Sequence, residues 1–290
     1  MRLVTFTHDG RTRIGVVKGD NIIDLSVAAP DLPKDMVAFL TAGKPAMDAA
    51  RKALDTAQAS IPLKAVHLEA PVMNPRKFLA AGLNYKDHIA ESTKAGEEVK
   101  LPKYQIWFNK QVTCIHPPFD PVEVPAASKK VDYEGELGFV INQRCHKVPF
   151  EKALDVIAGY VIVNDVSARD WQRKAFTFTL GKSFNTHGPF GPWIMTPDEV
   201  GDPENLDLKT YVNGEIRQNS NTKHLLFKIR EMIVELTTAI TLEPGDVIAT
   251  GTPNGVGNAM DPPVYLQDGD IVRIEIEKIG YIEHKMVAER

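Results

Sequence analysis

Short runs of alternating apolar and polar residues, broken by Gly, Pro, Asn and Asp, make up most of the chain. Side chains two apart on a strand share a face, so this period predicts half-buried strands. RLVTFT, TRIGVV and IIDL, separated by HDGR and KGDN, predict a small antiparallel meander within residues 1–25. Helix formers fill residues 34–57, and AGKP at 42–45 divides them into two short helices. Pro62, Pro71 and Pro75 mark a loop-like stretch, and we place a boundary near residue 70. Beyond it, KFLAAGLNY, VDYEGELGFVIN, VIAGYVIVND, LKTYVNGEI, DVIATGT and DIVRIEIEKIG read as strands. One helix is predicted in LLFKIREMIVELTTAI, with Leu226, Ile229, Ile233, Leu236 and Ile240 at about helical spacing. DHIAESTKAGEE is helical but offers few large apolar anchors, so from Asp87 to Glu98 it reads as a mobile lid. The expected architecture is α+β and mostly β: a small N-terminal β/α domain over 1–70, then a strand-rich domain over 71–290.

Composition removes several function classes. With 34 basic and 38 acidic residues, the net charge of −4 gives no footprint for nucleic acid. No apolar run reaches the roughly 20 residues that span a bilayer, and MRLVTFTHDG does not read as a signal peptide. A cytoplasmic protein with no nucleic-acid or membrane partner is the expectation. Cys114 and Cys145 are the only cysteines, so no disulfide framework or thiolate zinc site is indicated.

The chemistry starts at VDYEGELGFVIN. Glu134 and Glu136 are two apart on a predicted strand, about 6.6 Å between Cα atoms, in apolar company. Mutual repulsion and desolvation make that arrangement costly, and a divalent cation would remove the cost. Asp165, at the end of the apolar run GYVIVND, supplies a third carboxylate. Three hard oxygen donors suit Mg²⁺ or Mn²⁺ and leave coordination positions open. The plain alternative, for an E-x-E alone, is a solvated strand face.

In NYKDHIAES, His88 and Glu91 are neighbours on a helix face, where a carboxylate can orient an imidazole as a general base. On its own the pair reads rather as an exposed helical contact. GKS at 181–183 is not a P-loop, because position 176 is Phe rather than Gly. TGTPNGVG at 250–257 has turn chemistry and backbone N–H groups able to cradle an anion, but it is no dinucleotide fingerprint.

NYKDHIAES, VDYEGELGFVIN, GYVIVNDVSARDWQ, GKSFNTHGPFGP, TPDEV, VNGEIRQ and LEPGDVIATGTPNGVG follow in this order. Together they resemble the fumarylacetoacetate hydrolase family over roughly residues 71–290. The resemblance implies a mixed β-sandwich roll with a metal at its mouth, commonly dimeric. It places Glu134, Glu136 and Asp165 on the metal ligands and His88 and Glu91 on a catalytic dyad. Arg169, Gln172 and Lys182 fall on substrate-contacting positions, and Thr252 where the substrate carboxylate is bound. Asn185 departs from the Asp frequent in the family, which puts the pocket charge in question.

The family's substrates are 2-oxo and 2,4-dioxo acids. The resemblance implies Mg²⁺- or Mn²⁺-dependent C–C hydrolysis, with His88 activating water and Lys182 and Gln172 steadying the oxyanion. Oxaloacetate decarboxylation, or isomerisation of the 2-hydroxyhepta-2,4-diene-1,7-dioate type, would use the same constellation. Hydrolysis is the expected reaction, because the His-x-x-Glu dyad is present. A catalytically silent metal-binding protein is disfavoured by the complete set of acids, dyad, Lys182 and Arg169. A glycosidase leaves Asp165 and Lys182 without a role.

Overall fold

The computed structural model describes residues 1–88, 91 and 101–289. Its centre is the strand Gly135–Ile141, buried at every position. On one face Leu137, Phe139 and Ile141 join a core shared with Leu208, Val272 and Ile274. On the other, Val140 packs with Val161, Val163, Phe39 and Ala50. A strand covered on both faces reads as a continuous apolar run rather than an alternation, as GELGFVI does.

Two sheets sandwich that first core. Among the described residues the larger has 12 strands, in which Gly135–Ile141 lies between Ile157–Asn164 and Val247–Ala249. The smaller has five, ordered Glu215–Asn221, Asp207–Val212, Ile271–Ile276, Gly280–Ala288, Val122–Val124. Asn213 and Gly214, both at positive φ, turn the hairpin between the first two, as a two-residue I′ turn requires.

The predicted meander is present as Arg2–His8, Arg11–Lys18 and Asn21–Asp24, paired antiparallel. It forms no separate sheet. Arg2 and Leu3 pair with Met195 and Ile194, so the large sheet runs through both sides of the expected boundary near residue 70. The two short helices are Met36–Thr41 and Gly43–Thr56. Gly43, at φ 65, makes the break, and Pro45 lies in the first turn, where a missing N–H costs nothing. The late helix covers Ile229–Ala239, leaving Leu226 before it and Ile240 as its C-cap; Met232 takes the buried position instead. The predicted lid falls, apart from Asp87, His88 and Glu91, outside the described residues.

Candidate active site

The strand register explains why three acids meet. Glu136 pairs with Val163, and Gly135 with Asn164. Glu134 and Glu136 therefore continue the face of Val140, and Asp165 continues the face of Val161 and Val163. The Asp165 amide donates to the Glu134 carbonyl at 2.9 Å, holding the two strand ends together. Glu134, Glu136 and Asp165 are buried, and one oxygen from each falls within a 4.8 Å span.

Buried cations answer two of these acids. Lys182 Nζ lies 2.5 Å from Glu134 Oε2 and 2.7 Å from Asp165 Oδ2. Lys110 Nζ lies 2.7 Å from Asp165 Oδ1 and also donates to the Lys182 carbonyl. Arg169 Nη1 lies 2.7 Å from Glu134 Oε1, while its Nε and Nη2 grip Asp132 Oδ2 at 2.9 and 2.8 Å. Burial disfavours ionised Glu134, but Lys182 and Arg169 outweigh it and hold its carboxyl at about 2. Glu136 has no side-chain cation among the described residues; it accepts from the Gly251 amide at 2.7 Å. Burial, then the charges of Asp165 and Glu134, push its carboxyl well above the usual range. Asp132, Glu134 and Asp165 face Lys110, Lys182 and Arg169, so Glu136 is the acid of the group whose charge has no cationic partner among the described residues. A hard divalent cation fits that oxygen donor set and that deficit.

Glu134 and Glu136 floor a cavity of about 270 Å³, whose walls include His88, Arg169, Gln172, Lys182 and Thr252. All nine residues picked from the sequence therefore lie in or around one place, with Asp165 beneath the floor and Glu91 behind His88. Grooves of about 770 and 900 Å³ elsewhere contain none of them, so size alone does not mark the site. Phe108 and Phe178 supply its apolar side. Gln172 Oε1 accepts from Arg169 Nη1 at 3.0 Å, which fixes its amide. Asn185 is exposed and off the cavity wall, so its difference from the family's Asp leaves the pocket charge unchanged.

The two members of the dyad meet loosely. His88 Nδ1 and Glu91 Oε2 are 3.5 Å apart, and Nδ1 makes no hydrogen bond. The Glu91 carboxylate instead accepts from the Gly255 amide at 2.9 and 3.0 Å. The anion cradle expected in TGTPNGVG is thus filled by the protein's own acids. Gly251 N–H serves Glu136, Gly255 N–H serves Glu91, and Gly257 and Asn258 N–H serve Asp132 at 2.8 and 2.9 Å. Thr252 Oγ1 donates to the Gly135 carbonyl at 3.0 Å, so its proton is engaged within the protein.

Sequence reasoning passed over Lys110, Asp132 and Gln218. Lys110 left a trace: it closes IWFNK, where the strand period asks for an inward apolar residue, and it is buried.

Residues 77–287 match the fumarylacetoacetate (FAA) hydrolase C-terminal family. The chain belongs to that family. The mitochondrial oxaloacetate tautomerase of Xenopus laevis is 43% identical over 293 residues, covering 99% of this chain and 90% of its own. The fumarylacetoacetate hydrolase of Exiguobacterium antarcticum superposes with a TM-score of 0.83 at 36% identity, covering all of both chains. So does a maleylpyruvate hydrolase of Sphingobium, solved with manganese(II) and pyruvate, at a TM-score of 0.83 and 35% identity. The family's mostly-β fold is therefore present here, with relatives of hydrolase and tautomerase type. Among the described residues no helix is long and apolar enough to cross a membrane.

Proposed function

We propose that this family member moves a proton on a small 2-oxo acid, with keto–enol tautomerisation of oxaloacetate as its reaction. The observation that carries the reading is the likeness over nearly the whole chain to oxaloacetate tautomerases, 43% and 41% identical. The cavity supports it: His88 lines it together with Glu134 and Lys182, and one positioned imidazole is enough to move a proton. The likeness favours this choice over the hydrolysis that the dyad motif alone favours.

Glu134, Glu136 and Asp165 would hold Mg²⁺ or Mn²⁺, which when bound stabilises negative charge on the substrate's oxygens. The chain's own residues do the rest. Arg169 and the Gln172 amide it orients bind carboxylate oxygens. Lys182 Nζ donates to the 2-oxo oxygen. His88 Nε2, the ring nitrogen not turned to Glu91, takes a proton from the methylene carbon. Return of that proton to the 2-oxygen completes the enol. Phe108 and Phe178 keep water from that carbon.

C–C hydrolysis of a 2,4-dioxo acid is the second reading, favoured by the likeness to the maleylpyruvate hydrolase; oxaloacetate decarboxylation would need no water at all. Following enol absorbance with Mg²⁺ or Mn²⁺ against an acylpyruvate panel separates them. Fast cleavage of an acylpyruvate without accelerated enol–keto exchange would sink the tautomerase reading.

A further inference from the structure

The motif VNGEIRQ has no part in the chemistry above, yet it delivers one side chain to its centre. Gln218, on the edge strand Glu215–Asn221 of the smaller sheet, is fully buried. Its Oε1 accepts from the Gly135 amide at 2.9 Å, between the two glutamates of E-G-E. Its Nε2 donates to Thr252 Oγ1 at 2.8 Å and to the Pro253 carbonyl at 2.9 Å. Thr252 Oγ1 in turn donates to the Gly135 carbonyl at 3.0 Å. The three groups close a ring.

The ring stands where a ladder stops. Gly138, Phe139 and Val140 pair with Ala249, Ile248 and Val247, and the Leu137 carbonyl still receives the Thr250 amide at 3.0 Å. Beyond that the 250–257 loop leaves the sheet, and the peptide groups of Gly135 on that side would be orphaned. A buried orphan costs about 1–3 kcal/mol, and the strand end bearing Glu134 and Glu136 would be free to shift. Gln218 and Thr252 take the place of the missing strand. The neighbourhood is too tight for slack. A Cβ at Gly135 would stand 2.2 Å from Thr210 Oγ1, and one at Gly255 1.9 Å from the Arg217 carbonyl.

We propose that Gln218 is a positioning residue: it sets the spacing of the Glu134 and Glu136 carboxylates and ties them to the loop that carries Thr252. It touches neither substrate nor metal. The proposal rests on the metal-site reading above, and its test distinguishes the two. Mn²⁺ binding to the whole protein is measured by electron paramagnetic resonance, and oxalate binding to the Mn²⁺-loaded protein by calorimetry. Gln218→Met, close in volume but without polar atoms, should weaken Mn²⁺ binding by about 10–100-fold, the range for partners one shell out from a metal. Oxalate binding should weaken with it. Thr252→Val keeps the Gln218–Gly135 bond and should lose less Mn²⁺ affinity than Gln218→Met. Asn221→Ala, on the same strand but bonded to Asp207 and Lys223 away from the site, should lower Tm and leave Mn²⁺ affinity unchanged. If Gln218→Met does not fold, Gln218→Asn is measured the same way and should show the same order of effects. A Gln218 variant with lowered Tm but wild-type affinities would reduce the residue to a structural role and overturn the proposal. An equal loss of Mn²⁺ affinity in Asn221→Ala would overturn it too. A wild-type protein that binds no Mn²⁺ would overturn the metal-site reading itself, and this proposal with it.

Discussion

Glu134, Glu136 and Asp165 stand on the ends of two central strands, whereas His88 meets the same cavity from outside the sheet and Glu91 behind it is held, among the described residues, by one amide, Gly255 N–H. The acid half is held by register, by Lys110, Lys182 and Arg169, and by Asn164, whose Oδ1 accepts from the Glu134 amide at 3.0 Å. Breaking a buried charge pair costs about 3–5 kcal/mol, so that half keeps its shape whether or not ligand is present. Among the described residues the dyad half rests on a 3.5 Å contact that makes no hydrogen bond and on the Gly255 N–H, worth about 1.5–3 kcal/mol. The difference suggests a division of labour: the strands bind, and the dyad acts.

The largest test of that division is Glu136→Ala. On the proposed metal site, loss of this ligand should weaken Mn²⁺ binding by more than the roughly 10–100-fold of an outer partner, and every activity should go with it. Stability at neutral pH should hold or rise. Glu136 lacks a side-chain cation, and burial beside two other carboxylates disfavours its charge. Calorimetric Mn²⁺ titration with thermal unfolding checks both outcomes. Undiminished Mn²⁺ affinity would dissolve the acid half as a binding unit.

His88→Ala should come next, lowering turnover by about 10²–10⁴-fold, the usual worth of a positioned acid–base group. Mn²⁺ and oxalate affinities should stay near wild type. Acylpyruvate cleavage, if present, should vanish, while oxaloacetate decarboxylation should persist in part. Side-by-side assays decide; wild-type tautomerisation in His88→Ala would place the proton transfer elsewhere.

The two halves were also unequally legible in sequence. Glu134, Glu136 and Asp165 could be read because carboxylates in apolar strands demand a reason, and strand period fixes which of them share a face. His88 and Glu91 could be paired from helical spacing, but not placed. Glu91's nearest partner, Gly255, lies 164 residues away. The residues that were missed act through equally distant contacts. Lys110 meets Asp165 across 55 positions and Gln218 meets Gly135 across 83. An amide such as Gln218 is silent in sequence, because nothing local tells a buried Gln from an exposed one. The pairing of Arg2 with Met195, which carries the large sheet through the expected boundary, is unreadable for the same reason.

Glu91→Gln sharpens the comparison within the dyad half. The amide oxygen can still accept from Gly255 N–H, so residue 91 should stay in place, while the negative charge beside His88 is lost. Turnover should fall by up to about fivefold, about 1 kcal/mol, the upper worth of a charge contact that makes no hydrogen bond. Glu91→Ala removes both functions and should cost more. Equal losses in the two variants, measured by steady-state turnover, would mean that the charge alone matters and that Gly255 holds nothing in place.

The smallest expected effect concerns acid, and it should fall on the acid half. His284 is buried on the strand Gly280–Ala288, and its Nε2 accepts from Asn164 Nδ2 at 2.8 Å. Asn164 is the residue that holds the Glu134 amide. Burial lowers the His284 imidazole to about 3, and burial lowers His187 to about 3 as well. The unfolded chain, with ordinary imidazoles near 6.5, therefore binds more protons than the folded chain between about pH 6.5 and pH 3. Stability contributed by these groups is complete above pH 6.5 and declines as pH falls through that window, by up to about 1.4 kcal/mol per pH unit for each. Glu136, displaced the opposite way, opposes part of the decline, so the comparison must be with a variant rather than with one pH alone. His284→Gln can still accept from Asn164 and removes one titrating group. Urea unfolding at pH 7, 5.5 and 4.5 should give a shallower decline in His284→Gln than in wild type, with Mn²⁺ affinity at pH 7 little changed. An identical pH slope in the two proteins would show that His284 is not held neutral behind Asn164, and that the support of Glu134 does not pass through it.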